Sequence, residues 1–266
     1  MNNWLNQFFK EIEKEKYNDI VMPKMWNILD EVSEKTGFDE HQILMLGLYG
    51  SQNYRMENEN SDIDTECFIF PSHDDIVYAY PLYSKCIQTQ YGTCHVKDIR
   101  AVFNELRKNS PNILEILASP YIILNKEYFF IIEQICCHYV NHFANLNRYR
   151  LMKGLEGLLN RYKSDLENSK YLANAFRIYG MMTGILCGDN YVELIVPHNY
   201  DALTKVKYSN KSNSELIETF NTYMEIRQQE LKIFFEAIEP KRDENILGTI
   251  NFWQSELMDK YIKLEY

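Results

Sequence analysis

The stretch that decides the fold is residues 44–70, LMLGLYGSQNYRMENENSDIDTECFIF, in which two apolar runs flank a polar loop. The first run, residues 44–48, predicts a β-strand that leads into Gly50-Ser51. The second, Asp62–Phe70, is rich in β-branched and aromatic residues and predicts another strand. Because side chains alternate between the faces of a strand, Asp62 and Asp64 are expected to point the same way.

Two carboxylates at this spacing predict a cation site. They repel each other unless a cation lies between them, and a hard divalent ion such as Mg²⁺ or Mn²⁺ prefers oxygen ligands. Gly50 removes a side chain where a backbone must approach a ligand, and Ser51 adds a hydroxyl and an N–H that can hold phosphate oxygens. The alternative is a polar edge strand with solvated carboxylates. Asp is disfavoured in strands, so Asp62 and Asp64 together favour the functional interpretation.

Gly50-Ser51, followed after a loop by Asp62-x-Asp64, resembles the signature of the DNA polymerase β-like nucleotidyltransferase superfamily. Within it, residues 50–64 look most like the stand-alone nucleotidyltransferases of bacteria and phages, and residues 98–120 and 170–188 are similar to further segments of that branch. The resemblance implies an enzyme that moves a nucleoside monophosphate from an NTP, with ATP favoured, to an acceptor hydroxyl and releases pyrophosphate. The acceptor is left open between an RNA end, a protein and a small molecule.

The resemblance also implies a metal site made of three carboxylates. Asp62 and Asp64 would hold Mg²⁺ or Mn²⁺, and a third carboxylate on a neighbouring strand would complete the metal shell and take the proton from the attacking hydroxyl. We expect Asp98 in that role, at the end of a strand predicted over Gln88–Lys97. Asp98 could instead cap the helix that follows it, a common role for Asp. Glu66, on the predicted face of Asp62 and Asp64, is then the replacement.

The nucleotide's phosphates are expected to lie against Gly50 and Ser51 and to meet basic residues from the second half of the chain. By resemblance these are Lys170 and Arg177, which lie seven residues, or two helical turns, apart and so share one face. A solvated helix face is the alternative interpretation. Three further basic residues are second-choice phosphate ligands, with ordinary surface charge as their alternative: Arg148, Arg150 and Lys153.

Composition limits the partners and the setting. The chain has 266 residues and a net charge of −10, which weighs against broad non-specific binding of nucleic acid but leaves room for a local basic cleft. None of the six cysteines forms a CxxC pair. The N-terminus lacks the pattern of a signal peptide, and no apolar run reaches membrane-spanning length. These features predict a cytoplasmic protein without a membrane partner.

Helical spacing dominates after residue 128, whereas the strand patterns lie before it. We therefore expect an α/β (α+β) fold, with a small mixed β-sheet core followed by an α-helical C-terminal half. The predicted domains are residues 1–125, the nucleotidyltransferase domain, and residues 126–266, a helical domain that closes the nucleotide cleft. Two functions other than catalysis stay open: a nucleotide-binding sensor, and an interaction protein of the toxin–antitoxin type with little turnover.

Overall fold

A six-stranded mixed sheet forms the first half of the molecule. The structure is a computed structural model, which describes residues 5–12, 14–143, 145, 147–209, 214–238 and 243–265. Within these ranges the strands lie in the order β1-β6-β2-β3-β5-β4. Their bounds are β1 Phe9–Glu11, β2 Ile43–Leu48, β3 Thr65–Ile69, β4 Ser84–Gln88, β5 Thr93–Asp98 and β6 Ile122–Asn125.

Helices cover both faces of this sheet and make up the second half of the chain. Those between the strands are α1 Leu5–Phe8, α2 Val21–Thr36, α3 His73–Val77, α4 Ile99–Arg107 and α5 Pro111–Ala118. Those after β6 are α6 Phe129–Gln134, which continues as a π-helix over Ile135–Phe143, then α7 Arg148–Lys163, α8 Ser169–Cys187, α9 Tyr191–Leu194, α10 Tyr200–Lys207, α11 Ser214–Ala237 and α12 Glu244–Glu265. The mixed sheet followed by helices confirms the expected fold class.

The register of three strands positions the site. β2 runs antiparallel to β3, with Leu48 opposite Thr65, so the end of β2 lies beside the start of β3. β3 and β5 are parallel, and Thr65 lies opposite Cys94. The chain segments before β3 and after β2 therefore meet at one end of the sheet.

Two hydrophobic cores lie on the two sides of the sheet. One packs α2 against the sheet through Met25, Ile28 and Leu29, which are fully buried. The other contains sheet residues such as Phe68 together with residues of the C-terminal helices such as Leu151 and is continuous between the two halves. The sheet ends at Asn125, where the domain boundary was expected. The division into two domains itself stays a prediction.

Several elements differ from the sequence-based expectations. The strand expected over Gln88–Lys97 begins only at Thr93, as β5, after the end of β4 and a turn, and the strand expected from Asp62 begins at Thr65. The apolar spacing of residues 3–18 predicts one helix, but the described part is the short α1 followed by β1. β1 pairs with β6, which was also not predicted. A short strand is stabilised by its neighbour in the sheet, a tertiary contact that overrides local helical spacing.

Candidate functional site

A cavity of about 560 Å³ lies between the end of the sheet described above and the helices of the second half. Its lining comes from residues 49–56, β3, β5, α5, α7, α8 and α10, so it joins the two halves of the chain. The lining residues are Tyr49, Gly50, Ser51, Tyr54, Met56, Asp64, Glu66, His95, Lys97, Asn112, Glu115, Ile116, Leu158, Arg161, Tyr162, Lys170, Tyr171, Asn174, Arg177 and Lys207.

The turn at Gly50 and Ser51 forms one wall. Gly50 has φ 87° and ψ −155°, a backbone conformation open to glycine and strained for other residues, and it leads into a 3₁₀ turn over Ser51–Tyr54. Its N–H donates to Glu115 Oε1 at 3.2 Å. The buried Asn53 donates to the Glu115 carbonyl at 3.1 Å, and the Asn53 N–H donates to the Gly50 carbonyl. The turn is therefore held in place by hydrogen bonds to α5 as well as by a hydrogen bond within the turn itself.

Asp64 faces this turn. Its Oδ1 accepts a hydrogen bond from the Thr93 N–H at 3.2 Å, and a Cβ placed on Gly50 would lie 3.8 Å from its Oδ2. Burial raises the pKa of Asp64 and the charge of Asp62 raises it further, whereas the Thr93 hydrogen bond and the positive charges of Lys170 and Lys207 lower it. The net direction is upward, which is the electrostatic signature of a carboxylate that lacks a sufficient counter-charge.

Asp62 lies near Asp64 but is more open. It is exposed, and it is not among the residues that line the cavity. Both aspartates precede β3, so the simple alternation of a strand does not fix their directions. The charge of Asp62 nevertheless acts on Asp64, which is consistent with the short separation that the sequence predicts.

The structure does not bring Asp98 to these aspartates. Asp98 lies opposite Ile69, four residues along the parallel strands from the Thr65–Cys94 pair, or about 13 Å at roughly 3.3 Å per residue. Its carboxylate is buried, accepts from the Arg100 N–H at 2.8 Å at the start of α4, and pairs with the Arg100 guanidinium. Asp98 is thus the helix cap that the sequence left open as the alternative role.

Glu66, the replacement for Asp98, lines the cavity. It lies opposite His95 on β5, is 5% exposed, and forms an ion pair with Lys97 through Oε1. His95 Nδ1 is 3.7 Å from the same oxygen. Among the described residues, the buried Glu66 Oε2 has no hydrogen-bond partner. Glu66 therefore lines the cavity with one carboxylate oxygen paired and the other buried without a partner.

Helix α8 supplies the basic residues that the sequence singled out. Lys170 and Arg177 both line the cavity, with Asn174 between them on the same face. Lys170 is exposed at the rim, whereas Arg177 is 3% exposed and its guanidinium lies 3.5 Å from the centre of the Tyr54 ring. Within the described part of the chain, Arg177 Nε has no hydrogen-bond partner. The two residues therefore share the face that their spacing predicts.

Two residues of the site make contacts that the sequence could not predict. Lys207, on α10, lines the cavity and donates to the Met56 carbonyl at 2.9 Å, which ties α10 to the loop after Ser51. Glu115 is buried beside Arg177 and Tyr54, and burial raises its pKa although the charge of Arg177 opposes that shift. The basic composition around Lys207 and the Asn112–Glu115 segment were visible in the sequence. Their contacts with residues far along the chain were not.

The carboxylates at this end of the sheet fit a cation that is bound partly by the protein and partly by a substrate. In the described ranges, no group of three or more His, Cys, Asp or Glu side chains is arranged to hold a metal ion. Mg²⁺, however, is commonly bound by one or two carboxylates together with substrate phosphates and water. Asp64, with Asp62 beside it, would supply the carboxylates of such a site.

No helix in the described part of the chain is both long and apolar enough to cross a membrane. No protein-family model and no curated protein matches the sequence. Among solved structures, the chain is similar to a nucleotidyltransferase-like protein from Exiguobacterium sibiricum 255-15, at 11% sequence identity and a TM-score of 0.34, with 92% of each chain covered. A similarity of this strength does not by itself establish a shared fold.

Proposed function

We propose that this chain is a metal-dependent nucleotidyltransferase that moves a nucleoside monophosphate from an NTP to an acceptor hydroxyl. One observation carries the proposal: a single cavity joins the Gly50-Ser51 turn and Asp64 with Lys170 and Arg177 from the opposite half of the chain. The first pair of features suits a bound cation and phosphate oxygens, and the second suits the negative charge of a triphosphate. The resemblance of residues 50–64 to the superfamily signature points the same way.

The proposed reaction is a displacement at the α-phosphorus of the NTP. The acceptor oxygen forms a bond to the α-phosphorus while the bond from that phosphorus to the oxygen bridging to the β-phosphorus breaks. Pyrophosphate leaves with that oxygen and its electron pair. The proton of the acceptor hydroxyl passes to the carboxylate of Glu66, which lines the cavity. Lys97, paired with Glu66 Oε1, stabilises the carboxylate before the proton arrives.

Asp62 and Asp64 are the residues that would hold Mg²⁺ or Mn²⁺. The raised pKa of Asp64 reflects burial and the nearby Asp62 charge, and a bound cation would oppose that rise by stabilising the carboxylate. When bound, the ion supplies charge neutralisation at the phosphate oxygens.

The phosphates are held by donors that are fixed before the nucleotide binds. Ser51 offers a hydroxyl and an N–H at the start of the 3₁₀ turn, and the Glu115 hydrogen bond to Gly50 holds that turn in place. The Arg177 guanidinium is fixed against Tyr54, so little reorganisation accompanies phosphate binding. Lys170 and Lys207 add positive charge close enough to Asp64 to oppose the rise in its pKa. Positioning and charge neutralisation together account for the expected rate enhancement.

The test is pyrophosphate release from each of the four NTPs with Mg²⁺ or Mn²⁺, with total RNA and a deproteinised cell extract as sources of acceptor. Asp64→Asn removes the half-buried charge at nearly constant shape, and the matched control Asp259→Asn makes the same change at an exposed position of α12. We expect release by the wild-type chain and the control, and a loss on the order of 100-fold in Asp64→Asn. Equal release by all three proteins would refute the site. NTP binding without release under any condition would favour the sensor.

A further inference from the structure

A second groove adjoins the nucleotide cavity. Its volume is about 540 Å³, and it shares Asn112 and Leu158 with the cavity described above. It is lined by the end of α4, the start of α5 and one face of α7. The lining residues are Lys108, Ser110, Pro111, Asn112, Tyr149, Arg150, Lys153, Gly154, Gly157 and Leu158.

One face of α7 runs through both spaces. From Arg150 to Tyr162 its lining residues recur every three or four positions, which is the spacing of a single helical face. The span from Arg150 in the groove to Arg161 in the cavity is eleven residues, or about 16 Å at 1.5 Å per residue. The groove and the cavity thus form one track along this helix.

The charge of this track is opposite to that of the molecule. Helix α7 carries five basic side chains and one acidic side chain in a protein whose net charge is −10. The groove is lined by Lys108, Arg150 and Lys153 and, among the described residues, by no carboxylate. Such a local reversal of charge favours a polyanionic ligand.

These basic groups retain the capacity to bind. Lys108 and Lys153 are exposed. Lys153 pairs with Glu156 at 2.8 Å, and its Nζ lies 3.9 Å from the centre of the Phe235 ring. Contacts of an exposed lysine are worth little and exchange readily. Arg150 donates to the Arg107 carbonyl through Nη1 and keeps its other guanidinium donors.

The shape and the aromatic groups suit a single strand. Gly157 is exposed, and a Cβ at that position would meet nothing within 4 Å, so the groove is open at this point of α7. Tyr149 lines the groove, and Tyr162, thirteen residues further along α7, lines the cavity. Basic residues that follow a backbone, interspersed with aromatic rings, are how proteins hold single-stranded nucleic acid without reading its sequence.

We infer that this groove binds the phosphodiester backbone of a single-stranded nucleic acid, whose terminal hydroxyl reaches the nucleotide cavity as the acceptor. The inference rests on the proposed nucleotidyl transfer for the role of the hydroxyl, and on the groove alone for the binding. The reaction is the displacement already written, with the terminal hydroxyl oxygen of the strand as the attacking atom. Each turnover lengthens the strand by one nucleotide and releases one pyrophosphate.

The binding test needs no NTP. The probe is a fluorescein-labelled 12-nucleotide RNA, or DNA of the same sequence, followed by fluorescence anisotropy over a range of salt concentrations. Lys108→Gln/Lys153→Gln removes two groove charges, and the matched control Lys24→Gln/Lys85→Gln removes two charges outside the groove. For the groove variant we expect affinity to fall on the order of tenfold and the slope of log affinity against log salt to flatten by about 1.4. The control should bind as the wild-type chain does.

Each outcome decides the inference. Binding of RNA alone, or of both RNA and DNA, with the loss confined to the groove variant supports it and distinguishes the two kinds of acceptor. No binding, or equal binding by both double variants, overturns it. Competition by polyglutamate as effective as that by unlabelled oligonucleotide would assign the groove to an acidic polypeptide and also overturn it.

A second readout separates this inference from the proposed function. With α-labelled NTP, we expect the wild-type chain to lengthen the oligonucleotide. The groove variant should need roughly tenfold more oligonucleotide to reach half of its maximal rate, and that maximal rate should equal the wild-type one. Pyrophosphate release that does not depend on the oligonucleotide, with no lengthening, would overturn the acceptor assignment while leaving nucleotidyl transfer intact. Failure of all pyrophosphate release would refute the proposed function without affecting the anisotropy result.

Discussion

Two glycines three residues apart on α7 should respond oppositely to the same substitution. A Cβ on Gly154 would lie 2.5 Å from Pro111 Cδ and 2.9 Å from Pro111 Cγ, whereas a Cβ on Gly157 would meet nothing within 4 Å. Both glycines lie inside α7, where alanine is favoured over glycine by about 0.8–1.0 kcal/mol. Gly157→Ala should therefore raise the free energy of unfolding by roughly that amount.

Gly154→Ala gains the same helix propensity but must push α7 away from the rigid ring of Pro111 at the start of α5. Overpacking of this kind costs about 1–3 kcal/mol, so the net effect lies between neutral and about 2 kcal/mol destabilising. The two variants should thus differ by about 1–3 kcal/mol in urea denaturation followed by circular dichroism. Equal midpoints for Gly154→Ala and Gly157→Ala would refute the close contact between α5 and α7, and with it the junction of the groove and the cavity at Asn112.

Three further substitutions test individual parts of the site. Gly50→Ala forces a side chain into the glycine conformation at φ 87°, so stability should fall by about 1–3 kcal/mol in urea denaturation and pyrophosphate release should fall at least tenfold. Arg177→Lys keeps the charge but loses the planar group against Tyr54, and should raise KM for NTP about tenfold; an unchanged KM would contradict its phosphate role. Asp98→Asn keeps an acceptor for the Arg100 N–H but removes the ion pair, so the melting temperature should drop while pyrophosphate release stays within about twofold of wild type.

The sequence was most informative where function depends on local spacing. Gly50 and Ser51 are adjacent, Asp62 and Asp64 are two apart, and Lys170 and Arg177 lie two helical turns apart. All but Asp62 line one cavity, and Asp62 lies close enough for its charge to act on Asp64. Short separations along the chain and the period of a helix are backbone properties, so local sequence carries them.

Sequence patterns failed where the outcome depends on contacts between distant segments. The sequence left Asp98 as either a metal ligand or a helix cap. Only the parallel register of β3 and β5 shows that it lies at the other end of the strand from Asp64. Glu115 is 65 residues from the Gly50 N–H that it accepts, a pairing that no local pattern encodes. The short strand β1 exists because β6 pairs with it, although its own residues are spaced as in a helix.

The most direct test of nucleotidyl transfer is to follow two labels, one on the α-phosphate and one on the γ-phosphate of the same NTP. The purified chain is incubated with Mg²⁺ and RNA, with Asp64→Asn as control. The account predicts that the α-label joins the acceptor, that the γ-label leaves in pyrophosphate, and that Asp64→Asn abolishes both. Transfer of the γ-label to an acceptor, or α-label incorporation that persists in Asp64→Asn, would contradict it.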